Sequence, residues 1–146
     1  MTINYCNGDL FSSEADAYAH GCNAVGRMGA GIAREFKNAF PRMFADYVER
    51  AASGLLVPGS GYVFHNERRP HVINLVTQED LDGARREFVE SSLDWLAQLN
   101  DVQIQSVAMP RIGAGLGGLR WRDVRREIER RFYDHRLSIE VWDLPD

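Results

Sequence analysis

Val107-Ala108-Met109-Pro110-Arg111-Ile112-Gly113-Ala114-Gly115-Leu116-Gly117-Gly118-Leu119 runs from a short apolar segment straight into four glycines and then into an amphipathic stretch. The same order recurs upstream in Ala19-His20-Gly21-Cys22-Asn23-Ala24-Val25-Gly26-Arg27-Met28-Gly29-Ala30-Gly31-Ile32-Ala33. Each reads as a strand, a glycine-rich turn and a helix. Glycine permits positive φ, and its missing Cβ lets a phosphate reach backbone N–H groups. A helix that follows directly adds the positive end of its dipole. One such junction is weak evidence, because glycine also marks plain turns. Two of the same type can flank a diphosphate from both sides.

The second junction also fits G-x-G-x-x-G through Gly113, Gly115 and Gly118, with Asp143 available as a ribose-binding acid. That pattern opens the first βαβ unit of a dinucleotide-binding fold. Here only one helix and one strand remain after it, and 146 residues are too few for both halves and a substrate domain. Hydride chemistry is therefore set aside.

Outward from the junctions, short apolar runs alternate with longer amphipathic ones, as in a layered α/β domain. Strands are predicted over 3–6, 17–22, 61–64, 72–76, 104–109 and 138–142, and helices starting near Gly29, Pro41, Ala84 and Trp121. Pro41 suits a first helical turn, Met43, Phe44, Tyr47, Val48 and Ala51 form an apolar stripe, and Gly54 is a stop. Phe88, Trp95, Leu96 and Leu99 repeat the pattern and read as core. With no internal repeat or linker, residues 1–146 are expected to be a single domain.

Composition bounds the function. The apolar share of 45% and charged share of 26% are ordinary for a soluble domain. No apolar run approaches a membrane span, and the opening MTINYCNGDLF does not read as a secretory signal. Cys6 and Cys22 make neither a disulfide framework nor a metal spacing, so a cytoplasmic protein without metal is expected. A net charge of −4 argues against general nucleic-acid binding. Arginines do crowd the C-terminal part: Arg111, Arg120, Arg122, Arg125, Arg126, Arg130, Arg131 and Arg136. Interleaved Asp123, Glu127 and Glu129 make this read first as a solvated helix, and second as a patch for an anionic macromolecule.

Taken together, Asn7-Gly8-Asp9-Leu10-Phe11, the run from His20 to Ala33 and Met109-Pro110-Arg111-Ile112-Gly113-Ala114-Gly115-Leu116 resemble the macrodomain family over essentially the whole chain. The nearest branch holds the terminal ADP-ribose protein glycohydrolase and the antitoxin that strips ADP-ribose from thymine in DNA. The resemblance implies a three-layer α/β/α sandwich with a mixed central sheet. It implies ADP-ribose, or ADP-ribosylated protein or nucleic acid, as partner, a monomer, and no cofactor. Asp9 would accept from the adenine amino group, with a capping turn as its alternative role. Leu10, Gly29, Ala30, Gly31, Ile32 and Thr77 would line one side of the ligand; Arg111, Ile112, Gly113, Ala114, Gly115, Leu116 and Gly117 would close the other. Trp142 would stack on adenine, worth ~1–3 kcal/mol.

For chemistry, the glycohydrolase branch resembled here uses a lysine after the fourth strand and an aspartate in the second loop. This sequence has Gln78 and Gly117 there, so a lysine-dependent covalent route is not expected. His20 sits as in the related ADP-ribose-1″-phosphate phosphatase and is the candidate proton shuttle, with Asn23 positioning a water or holding the ribose. Glu79 and Asp80 flank the expected pocket, and Cys22 reads as a buried thiol. Three functions follow: an ADP-ribosyl hydrolase, a hydrolase of O-acetyl-ADP-ribose or ADP-ribose-1″-phosphate, and a non-catalytic reader.

Overall fold

The computed structural model describes residues 2–144, Leu116 through its backbone alone. Six strands, β1 (Ile3–Asn7), β2 (Ala17–Asn23), β3 (Gly61–Phe64), β4 (His71–Gln78), β5 (Ser106–Pro110) and β6 (Ser138–Asp143), form one sheet in the order β1-β6-β5-β2-β4-β3. Neighbours run parallel except β3, which is antiparallel to β4, so the sheet is mixed.

Central strands buried on both faces must be apolar on both faces, and the period-2 alternation sorts them into two cores. Ala17, Ala19, Ile73, Leu75, Val107, Met109, Ile139 and Val141 pack toward α3 (Arg86–Ala97) and α4 (Trp121–Phe132). Tyr18, Cys22, Val72, Val76 and Ala108 pack with Phe36 of α1 (Gly31–Ala39) and Met43 and Tyr47 of α2 (Pro41–Ala52). The result is the expected three-layer α/β/α sandwich.

Element bounds fall within two residues of those predicted. α1 starts at Gly31 because Ala30 is extended (φ −148°, ψ 159°), and Phe40 serves both as the end of α1 and the cap of α2. β5 begins at Ser106, while the buried Ile104 sits in the turn before it. Of the residues assigned to core, Trp95 lies against the backbone of β3.

One feature of the sheet creates the site. β2 pairs with β4 along its length, yet pairs with β5 only through Ala17–Val107 and Tyr18–Ala108. Chain connections also diverge there, β2 leading through α1 and α2 to β3 on one side and β5 through α4 to β6 on the other, which makes this gap a topological switch point. Beyond Tyr18 the two strands separate, and the loops that leave them face each other across a crevice.

The close approach of Trp95 to β3 is testable. A Cβ on Gly61 would stand 2.6 Å from Trp95 Cε3 and 3.0 Å from Leu75 Cδ2. Gly61→Ala is expected to lower stability by about 1–3 kcal/mol through overpacking. A denaturant midpoint equal to the parent's would show that the α3–β3 contact is looser than described.

Candidate ligand-binding cleft

The crevice at the C-terminal ends of the parallel strands encloses about 1020 Å³. That suits a ligand larger than a single sugar or base. It gathers Asn23, Gly29, Ala30, Gly31, Ile32, Thr77, Arg111, Ile112, Gly113, Ala114, Gly115, Gly117 and Trp142 from the sequence-based set. Asp9, Leu10 and His20 lie off its lining, and the Leu116 side chain falls outside the described residues.

The first loop is shaped by one amide. Asn23 Oδ1 accepts from the backbone N–H groups of Val25, Gly26 and Arg27 at 3.0, 3.1 and 3.3 Å, and its Nδ2 donates to Arg27 O at 2.8 Å. Tyr47 Oη, on α2, lies 2.7 Å from Asn23 O and 2.8 Å from its Oδ1. Asn23 thus lines the cleft with its amide largely committed to holding the loop. The loop delivers extended Gly29 and Ala30 to α1, whose N-terminus has no side-chain cap. Its first N–H groups, at Gly31, Ile32 and Ala33, lack intrahelical partners and line the cleft.

Across the gap, the second loop is a tight, backbone-bonded coil. Ala114 N donates to Arg111 O, Gly117 N to Ala114 O, Gly118 N to Gly115 O and Leu119 N to Gly113 O. Gly113, Gly115 and Gly118 have φ of 79°, 63° and 84°, the left-handed region where glycine is favoured.

A third wall comes from the segment after β4, where the sequence pointed to Glu79 and Asp80 and the structure places neither on the lining. Residues 79–85 follow β4 and bring Leu81 and Ala84 to the cleft. Ala84 N donates to Gly117 O at 3.0 Å, and a Cβ on Gly83 (φ 126°) would meet that same oxygen at 3.0 Å. Gly83, a glycine in the turn after β4, was the available signal. Thr77 is the extra residue of a bulge, since Cys22 pairs with Val76 and Asn23 with Gln78. Trp121, Asp143 and Leu144 also line the cleft, and Arg111 pairs with Asp143 at 3.3 Å.

The remaining candidates take other roles. His20 is fully enclosed, stacked on Phe36 at 3.9 Å and 3°, with Nε2 2.7 Å from Asn74 Oδ1. Asn74 Nδ2 already donates to Tyr62 Oη and Met43 Sδ, so Asn74 Oδ1 is the acceptor and His20 carries its proton on Nε2. Burial pushes its pKa down to about 4, while Nδ1 has no hydrogen-bond partner among the described residues. The structure therefore sets His20 beneath the cleft, against the expectation of a proton shuttle. Burial drives the Cys22 thiol far upward, away from nucleophilic use. Leu10 is core, and exposed Asp9 caps a 3₁₀ turn by accepting from Phe11 N at 3.0 Å, its alternative role.

At the β2–β4 end of the cleft, Gln78 Nε2 donates to Asp80 O at 2.6 Å, and Glu79 pairs with Arg85 at 3.1 Å. Among the described lining residues, the ionisable ones are Cys22, Arg27, Arg111 and Asp143. The chain's single lysine, Lys37, stands 4.6 Å over the Phe44 ring, outside the cleft.

The Macro domain family model matches residues 19–128, and the chain belongs to that family. It is 31% identical to a DNA ADP-ribosyl glycohydrolase of Thermus aquaticus over 96% of this chain and 40% of that protein. It is also 31% identical to the human ADP-ribose glycohydrolase OARD1, over 97% of this chain and 91% of that one. The DarG macrodomain of Mycobacterium tuberculosis superposes with a TM-score of 0.91 at 30% identity, covering 99% of each chain. The chain thus spans about 40% of the length of the DNA-directed relatives it matches.

The buried histidine gives a pH signature. Its folded pKa near 4 lies below the ordinary 6.5, so the native state binds fewer protons than the unfolded state. Stability present above pH 6.5 is lost as pH falls toward 4, by at most about 1.4 kcal/mol per pH unit. His20→Gln is expected to flatten this loss, measured by denaturant unfolding at several pH values. The same acid slope in both proteins would mean that His20 is not buried and neutral.

Proposed function

We propose that the cleft binds ADP-ribose and that the protein releases ADP-ribose from a modified macromolecule by hydrolysis. The observation that carries this is the pair of glycine loops facing each other across one crevice, with the uncapped end of α1 on one side. A diphosphate fits between two such arrays of N–H groups. Trp142 at the β6 end takes the adenine, and the β2–β4 end takes the distal ribose. The relatives support this ligand: several are named ADP-ribosyl or ADP-ribose glycohydrolases, and a Thermosipho africanus DarTG structure, 25% identical, is titled as a complex with ADP-ribose. The reading takes 1–146 as one monomeric domain in the cytoplasm, consistent with two free cysteines.

Chemistry in this cleft proceeds without a lysine. Water adds at the anomeric carbon of the distal ribose, the bond to the macromolecule breaks, and the macromolecule leaves with the proton. Rate comes from fixing the ribose against the clamped diphosphate, together with neutral dipoles such as Gln78. His20 and Asn23 act on the first loop rather than on the reacting atoms.

A second reading, a non-catalytic reader, is favoured by one observation: the described lining residues at the ribose end include no carboxylate, histidine or lysine. Calorimetric titration with ADP-ribose, followed by a release assay on ADP-ribosylated protein and DNA, separates the two. Micromolar binding with release is expected. Binding alone would make this a reader, and neither would reject the ligand assignment.

Two variants sharpen the test. Gly29 has an ordinary φ, and a Cβ there would meet nothing within 4 Å. Gly29→Val should leave the thermal midpoint unchanged while lowering ADP-ribose affinity at least tenfold; full affinity would sink the two-loop clamp. Gln78→Lys should speed release and yield a borohydride-trappable adduct. If it does neither, position 78 does not face the anomeric carbon.

A further inference from the structure

We infer that Glu140 is a positioning residue: it fixes the indole of Trp142 as the adenine-facing wall of the cleft and so sets the preference for an adenine-bearing ligand. The inference rests on the ligand proposed above and adds a residue that lies outside the cleft lining.

The geometry starts from strand alternation. In β6, Ile139 and Val141 point into the α3–α4 core, so Glu140 and Trp142 share the opposite face. There Trp142 Nε1 donates to Glu140 Oε1 at 3.0 Å. The same oxygen accepts from Ser13 Oγ at 2.5 Å, and Ser13 Oγ in turn accepts from Ala15 N at 3.1 Å. Tyr18 Oη donates to Ser13 O at 2.5 Å. The carboxylate is thus held by the segment that follows the 3₁₀ turn at Leu10–Ser12, and it holds the indole in its turn.

Packing alone does not require a carboxylate here: Glu140 is only partly exposed, and an apolar residue would fill the same space. What the carboxylate contributes is a charge-assisted bond to a single N–H, which fixes how the indole is rotated about its side-chain torsions. Trp142 packs at its base against the α1–α2 core, and its Cζ3 comes within 3.8 Å of where a Cβ on Gly8 would lie. Trp142 lines the cleft, and its N–H is committed to Glu140. A flat, apolar wall suits stacking on a purine.

The test separates orientation from folding. In Glu140→Ala, ADP-ribose affinity should fall about tenfold while affinity for ribose 5-phosphate, which has no base, stays within twofold. Glu140→Gln keeps an acceptor and should recover most of the loss. The Trp142 indole N–H resonance, assigned by its disappearance in Trp142→Phe, should move in Glu140→Ala, whereas those of Trp95 and Trp121 should not. Glu140→Ala combined with Trp142→Ala should bind no worse than Trp142→Ala alone. Parent-like ADP-ribose affinity in Glu140→Ala, or equal losses for both ligands, would overturn the assignment. Should the parent protein bind no ADP-ribose, the ligand proposal fails, and the indole resonance still decides whether Glu140 holds the ring.

Discussion

The site depends on a pairing that stops early. β2 and β5 are neighbours for two residue pairs and then part, while each keeps its other partner along its length. A parallel sheet normally satisfies its backbone by continuing the ladder, so a gap between adjacent strands must be filled by something else. Here the chain fills it with loops whose own bonds close locally and whose residues line the crevice. The four-glycine second loop achieves this through short backbone bonds, and the first loop does it through the side chain of Asn23. Both solutions bring residues with unpaired backbone N–H groups at the start of α1 and a run of glycines to the same crevice.

Holding the first loop in place falls to a set of polar contacts inside the α1–α2 layer. Tyr47 ties α2 to Asn23, and His20 ties β2 to β4 through Asn74 while its ring supports Phe36 of α1. Each buried polar group carries a desolvation penalty, and the His20 ring keeps one nitrogen unsatisfied. Apolar residues would stabilise this layer more simply. Its polar atoms make sense as devices of register: they fix where α1 begins relative to the strand ends, hence where its free N–H groups sit.

How much of this was legible in the sequence follows from how local each feature is. The two glycine junctions, the apolar alternation and Pro41 at a helix start are written in consecutive residues, so fold, cleft and most of its lining could be read directly. His20 could not. It stands one residue before a glycine loop, as a catalytic histidine would, and only Phe36 of α1 and Asn74 of β4 decide that it is covered. Asn23 is similar: the four backbone groups bonded to its amide are near in sequence, but that the amide folds inward is decided with Tyr47 of α2. Leu81 and Ala84 were missed because the loop after β4 has only Gly83 to announce it, and its meaning emerges from contact with Gly117. Side chains near a strand end announce their residue type early and their direction only once the opposite layer is in place.

That contact also bears on how far chemistry can differ within one family. A Cβ on Gly117 would lie 3.3 Å from Ala84 Cβ, and Gly83 leaves its own Cβ position 3.0 Å from Gly117 O. The second and third walls are therefore closed against each other at a point where a side chain at 117 would press on Ala84 of the loop after β4. That loop begins at Gln78, whose amide is already bonded back to Asp80. Position 117 thus bears on the path of the loop that leaves β4 at Gln78, through its contacts with Gly83 and Ala84. Within the shared fold, the closure of this cleft is therefore set by Gly83, Ala84 and Gly117 together, and the residue where the loop leaves β4 is the neutral Gln78.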